Sequence, residues 1–170
     1  MISQDLCGAW CLVGTASTRS QIALINGQPD PRGIEQLLKG VDDRLIETAT
    51  ETSGLLLSIS SEASFTEQLT GKPTVYWFDE EGVLAGEVSP FNGIVVQTQQ
   101  GAYLKPAEIA KFGRPVEGRY GNVVLRYDDG DTKIADGLRR VGAQLIRTVN
   151  VVTDELYLDR VVVVYRPYIQ

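Results

Sequence analysis

From residue 54 onward the chain follows a period of two. Apolar or β-rich runs at 54–60, 64–69, 74–79, 83–89, 94–100, 119–127, 132–139, 144–152 and 156–166 alternate with short polar breaks. A period of two places every second side chain on the same face of a strand. The breaks carry hairpin chemistry: Glu80-Glu81-Gly82, Asn92-Gly93, Gln99-Gln100-Gly101, Asp128-Asp129-Gly130 and Thr153-Asp154-Glu155. Such residues accept the tight or left-handed backbone of a turn. Strands do not alternate with helices, so a parallel sheet is not expected. Short strands joined by short turns build a sandwich or a barrel. A Greek-key sandwich needs a long connection, and after residue 54 only 105–115 is long enough to supply one. A meander of twisted antiparallel strands loses its exposed edges by closing on itself. With a first strand at 8–16, the expectation is an all-β, up-and-down antiparallel barrel of about eight to ten strands, with room inside for one small ligand.

One segment has helical rather than strand spacing. Ile34, Leu37, Leu38 and Val41 fall at i, i+3, i+4 and i+7, one face of a helix. Asp30 can cap it, Pro31 suits the first turn, and Gly40 can end it. This predicts a short helix over 31–40, between the first and second strands. Residues 44–50 fit two descriptions: Leu45, Ile46 and Ala49 suit a second short helix, and the threonines suit a strand. No linker or repeat divides the chain, and 170 residues suit one domain, 1–170.

Several chemistries are excluded by residues the chain lacks. It contains no histidine, which removes Ser-His-Asp and Cys-His nucleophile pairs, His-ligated zinc and His-ligated haem. Two cysteines are too few for an iron–sulfur cluster or a Cys-rich zinc site. Cys7 and Cys11 share a face on an extended strand but stand roughly 13 Å apart, too far for a disulfide. They read as small buried apolar residues. No metal and no cofactor is expected. The net charge of −6 and a pI near 4.7 repel phosphate backbones, so nucleic-acid binding is disfavoured. The N-terminus lacks a signal-peptide pattern, and no apolar run reaches the ~20 residues of a membrane helix. A cytoplasmic protein with no membrane span is expected.

Four residues stand out as candidate ligand contacts. Trp77 lies in Thr74-Val75-Tyr76-Trp77-Phe78, a run aromatic on both faces; a half-buried strand normally shows one polar face. Arg126, Arg147 and Arg160 sit among apolar residues of late strands. An arginine inside a barrel is costly unless paired, and an inward guanidinium can grip a carboxylate with two N–H groups. Outward, the same residues would pair with acidic neighbours. Alternation supports an inward Arg147, which shares a face with Leu145, Val149 and Val151. Asp79, Glu87, Asp136 and Asp159 are candidate acids, with nothing in the sequence pairing two of them. The run Val161-Val162-Val163-Val164 is apolar on both faces of its strand. One face has the lumen; the other needs a cover, such as a second subunit in a homodimer.

These features together resemble the calycin group, the lipocalins and fatty-acid-binding proteins. Gly8-Ala9-Trp10 resembles the Gly-x-Trp that opens the first lipocalin strand. The resemblance implies that Trp10 plugs one barrel end under a basic residue from a late strand, Arg160 or Arg166. The helix at 31–40 resembles the helical lid of fatty-acid-binding proteins. Arg166-Pro167-Tyr168 is the literal match to that family's carboxylate-binding Arg-x-Tyr. The leading expectation is a binding protein for a small, largely apolar ligand, one that carries an acidic group if the arginines point inward. Calycin-like barrels also host isomerases, cyclases and bilin-chromophore lyases, so a histidine-free barrel enzyme is the second expectation. Such an enzyme would place a buried Asp or Glu near a Tyr or Arg. A collapsed barrel serving as an interaction domain is the third.

Overall fold

The computed structural model describes residues 2–24, 26–28, 30–73, 75–79, 82–86, 90–107 and 118–169, with backbone only for 75–79 and 82–86. A 3-10 turn (Gln4–Leu6) leads into β1 (Gly8–Gln21). Two helices follow, α1 (Pro31–Lys39) and α2 (Arg44–Glu47), and then a short β2 (Thr50–Glu51). The middle of the chain forms β3 (Leu55–Ile59), β4 (Ser64–Leu69), β5 (Val75–Asp79), β6 (Gly82–Gly86), β7 (Asn92–Thr98) and β8 (Gly101–Pro106). The last part forms β9 (Gly118–Tyr120), β10 (Val123–Leu125), β11 (Tyr127–Asp128), β12 (Thr132–Val141), β13 (Gln144–Thr153) and β14 (Tyr157–Pro167).

Eight of these strands close into an antiparallel barrel in the ring order β1-β3-β4-β7-β8-β12-β13-β14. The ring is sealed where Gly137 and Leu138 pair with Tyr103 and Ala102, and where β14 returns along nearly the whole of β1. Ring neighbours follow chain order, so the barrel is the up-and-down meander that the period-two pattern predicts. The remaining elements are excursions from it. β5 and β6 form their own hairpin between β4 and β7, at the end away from Trp10, and β5 runs beside β1 and β14. β9, β10 and β11 break the expected run at 119–127 into three short pieces.

Two readings of the sequence change. Residues 101–106 form a barrel strand that takes in the start of the expected 105–115 interruption; 108–117 lie outside the described residues. Asn92-Gly93 is not a turn but the start of β7. Gly93 is needed there because a Cβ would collide with the Lys105 carbonyl and Pro106 of β8. Glu80 and Glu81 lie outside the described residues. Turns do form at 99–100, at 129–131 and at 154–156, the last with Asp154 and Glu155 in left-handed backbone (φ 54° and 55°).

Alternation sorts side chains between lumen and outer wall. Trp10, Leu12, Leu55, Leu57, Ile59, Phe65, Leu145, Val149, Val161 and Val163 pack together inside. A bulge shifts the β1–β14 register between Leu12 and Gly14, so Leu12 faces Tyr165 while Thr15 faces Val163. The extra residue lets Leu12 and Thr15 both face inward despite their odd spacing.

α1 begins as expected, with the Asp30 carboxylate accepting from Arg32 N at 2.9 Å and Pro31 in the first turn. Its position differs from the lid of the resemblance. Ile34 and Leu38 pack on Ala135, Val152 and Leu158, which face out of the barrel. α1 therefore lies along the wall. The reason is its apolar face: the outer surface of β12–β14 is itself apolar and needs that cover. Beside it, Leu45 of α2 covers Ile146, Val162 and Val164. The outward valines are thus buried within the chain, and the argument from them for a second subunit falls away. Cys7 and Cys11 are free thiols, half-buried rather than fully buried. Among the described residues no helix is long and apolar enough to cross a membrane.

Candidate functional site

The Trp10 end of the lumen is closed by apolar packing and neutral hydrogen bonds. Trp10 meets Ile2 and Leu6, and its Nε1 donates to Leu6 O at 2.9 Å. The basic residue stacked on the ring is Arg140 of β12, 5.0 Å from the ring centre, not Arg160 or Arg166. Arg140 also donates to the carbonyls of Asp5 and Gly142, each at 2.8 Å. Arg166 is exposed on the outer wall, with its Nε 3.4 Å from Cys11 Sγ, and Tyr168 is also exposed. The literal Arg-x-Tyr match therefore lies outside the lumen.

The waist of the barrel is built differently. Arg147 of β13 faces inward and is fully buried. Its Nε and Nη2 donate to Asp136 Oδ1 and Oδ2 at 2.8 and 2.7 Å, a bidentate pair. The register explains the pairing: Arg147 lies opposite Leu138, so Asp136 is its diagonal neighbour on β12. Arg147 Nη1 donates to Glu67 Oε1 at 2.6 Å. Glu67 is on β4, opposite β13 in the ring, so this ion pair spans the lumen. Arg126, between β10 and β11, donates from Nη1 to Asp136 Oδ2 at 2.7 Å and keeps 12% side-chain exposure. Two guanidiniums and two carboxylates thus form a cluster of zero formal charge. Phe91 lies against both cations, 5.1 Å from Arg126 and 5.4 Å from Arg147, and meets Phe65 edge-on. Its ring face attracts each cation.

Three oxygens in this region have no hydrogen-bond partner: Glu67 Oε2, Tyr165 Oη and Thr15 Oγ1. Tyr165 and Thr15 belong to the inward rows next to Arg147: Val163 pairs with both Arg147 and Thr15, and Tyr165 is two residues along the same face. A buried polar atom left without a partner costs about 1–3 kcal/mol. Three in one place make the waist a polar cluster inside an apolar wall.

The electrostatics separate the two carboxylates. Burial pushes both upward. At Asp136, Arg147 and Arg126 outweigh burial and hold the carboxyl below its ordinary range. At Glu67, burial wins over Arg147 and the carboxyl is raised. Burial also pushes the Tyr165 hydroxyl up to about 12, with Arg147 opposing. Glu67 is therefore the carboxyl of this cluster that holds a proton more readily than an ordinary glutamate, and Asp136 the one that holds it less readily than an ordinary aspartate.

The structure brings Arg126 and Arg147 together with Asp136. It places Arg160 elsewhere, on the outer wall beside α1. There Arg160 Nε donates to Asn150 Oδ1 at 2.7 Å and Nη2 to Leu37 O at 3.3 Å. Asn150 in turn donates to the carbonyls of Leu38 and Gly40. The pair thus anchors the C-terminal end of α1 to the wall. Asp159 does face the lumen, at the end away from Trp10. It pairs with Arg19 at 3.0 Å, and burial raises its carboxyl against the pull of that arginine. Trp77 lies on β5 opposite Leu84; its side chain and that of Asp79 lie outside what is described, as does Glu87. Glu67, Phe91 and Tyr165 were not singled out from the sequence. Glu67 had one available signal, a glutamate sharing an inward face with Phe65. Among the described residues no group of side chains is arranged to hold a metal ion. A scan against protein-family models and a search of curated proteins found no match for this chain.

Proposed function

We propose that the barrel binds a small, largely apolar molecule with an acidic group, and that the waist receives that group. One observation carries the reading: two inward arginines sit beside three buried oxygens without partners, in a lumen lined mostly by apolar side chains. Planar guanidiniums in fixed orientation suit a carboxylate, and Asp136 and Glu67 keep these two oriented. Beyond the waist, away from Trp10, the side chains that could meet the apolar part are Ile134, Val151 and Val161.

Native mass spectrometry of protein purified from its own host tests this. A single acidic, mainly apolar compound near equal stoichiometry supports the reading and identifies the ligand class. Protein that carries nothing, and takes up neither alkyl carboxylates nor neutral alcohols of the same length, contradicts it.

A histidine-free barrel enzyme is the second reading, favoured by one observation. Glu67, a buried carboxyl raised by desolvation, shares the lumen with Tyr165 and Arg147. A chemically altered compound released in the same experiment would favour it over simple binding.

A further inference from the structure

The waist cluster has two positive and two negative members, all in a water-poor lumen. An acidic ligand adds a third negative charge there. An uncompensated buried charge is strongly unfavourable, and buried groups change protonation to avoid it. The geometry says which member changes. Asp136 accepts three charged hydrogen bonds, two from Arg147 and one from Arg126. Glu67 accepts one, through Oε1, and its Oε2 is buried with no partner. The charged groups facing Glu67 are Arg147 of β13, Asp136 of β12 and Arg126 before β11; Tyr165 of β14 is the other titratable group beside it.

Resting on the reading above, we infer that the barrel takes up its acidic ligand together with a proton. The proton resides on Glu67 Oε2, which then donates to the ligand carboxylate while the arginines face the same group. The balance is simple: one carboxylate and one proton enter, no covalent bond forms, and the cluster keeps its formal charge of zero. Ligand release returns the proton to solvent. Binding therefore weakens as pH rises, while Glu67 without ligand is ionised. Burial, which raises Glu67, supports the same direction.

The test uses decanoate and its neutral counterpart decanol as probes. Calorimetry in two buffers of different ionisation enthalpy counts protons taken up on binding. The expected result is uptake approaching one proton with decanoate and none with decanol. Decanoate affinity should fall by up to about tenfold per pH unit over the range in which Glu67 is ionised without ligand and protonated with it. Glu67→Gln should bind decanoate with no proton uptake and a flat pH profile. Carboxyl-labelled decanoate bound to the unaltered protein should keep the carbon chemical shift of an ionised carboxylate, which tests the inference even if the variant does not fold.

Proton uptake that persists in Glu67→Gln, or a bound probe with the shift of a neutral acid, would place the proton on the ligand and overturn the inference. Decanoate binding without uptake would overturn it as well. Decanol binding without decanoate binding would overturn it while leaving a barrel that takes apolar molecules. Binding of neither probe would remove both.

Discussion

The closed end and the waist of the barrel show two uses of an arginine. Arg140 and Arg147 both come from the β12–β13 hairpin region, and both lie against aromatic rings inside the barrel. At the closed end, Arg140 meets Trp10 and two backbone carbonyls, all neutral partners. At the waist, Arg147 donates charged hydrogen bonds to two carboxylates, those of Asp136 and Glu67, and has no exposed surface. A neutral environment tolerates the loss of its arginine. A buried ionic one does not, because its carboxylates would remain charged and unpaired. The closed end is therefore a seal, and the waist is a place where charge is held ready.

The largest expected effect follows directly. Arg147→Met leaves Asp136 with Arg126 alone and Glu67 with no cation in contact. It should lower stability by about 3–5 kcal/mol in urea unfolding, or prevent folding. A loss under about 1 kcal/mol would erase the distinction between waist and seal. Arg140→Ala should cost less, about 1–2 kcal/mol, for a ring contact and two hydrogen bonds to carbonyls.

The pH dependence sharpens the contrast within the waist. Asp136, held low, contributes stability that is present above its unfolded value and lost as pH falls through its folded one. Glu67, raised, works in the opposite direction: the folded state binds its proton more tightly than the unfolded chain. Its contribution to stability therefore declines as pH rises from its unfolded value through its folded one. Glu67→Gln should remove that decline, so its stability relative to the unaltered protein should improve from about pH 4.5 upward, by roughly 1.4 kcal/mol per unit of raised pKa. Denaturant melts at a series of pH values read this directly. A relative stability that worsens with pH over that range would show that Glu67 is held low instead.

The smallest effect concerns Arg160. It anchors α1 outside the barrel, so Arg160→Ala should cost about 1 kcal/mol or less. Amide exchange in α1 should quicken while exchange in β13 inside the ring stays slow, and decanoate binding should not change. Weakened binding would bring Arg160 back to the ligand.

How far these features were legible depended on what fixed each residue's direction. Period-two spacing gave the meander, and unbroken alternation around Arg147 pointed it inward. Arg160 had no such guide: Val161 to Val164 are apolar on both faces, so either direction fitted until α2 was seen to cover one of them. β8 escaped notice because Ala102, Tyr103 and Leu104 are buried on both faces and show no alternation. Asn92-Gly93 carried turn chemistry, but its glycine answers a close approach of β7 to β8. The bulge after Leu12 is a register shift against β14, invisible along β1 alone. Glu67 is separated from Arg147 by 80 residues. No local pattern reports a contact across a closed ring; only closure itself brings the two together.

The central claim is that the waist receives an acidic group. Nitrogen-15 spectra of the arginine side chains, recorded during a decanoate titration, test it most directly. The account predicts that the Nε–H signals of Arg147 and Arg126 shift together with saturation, while those of Arg140 and Arg160 stay in place. Decanoate binding that leaves Arg147 and Arg126 unmoved would contradict it.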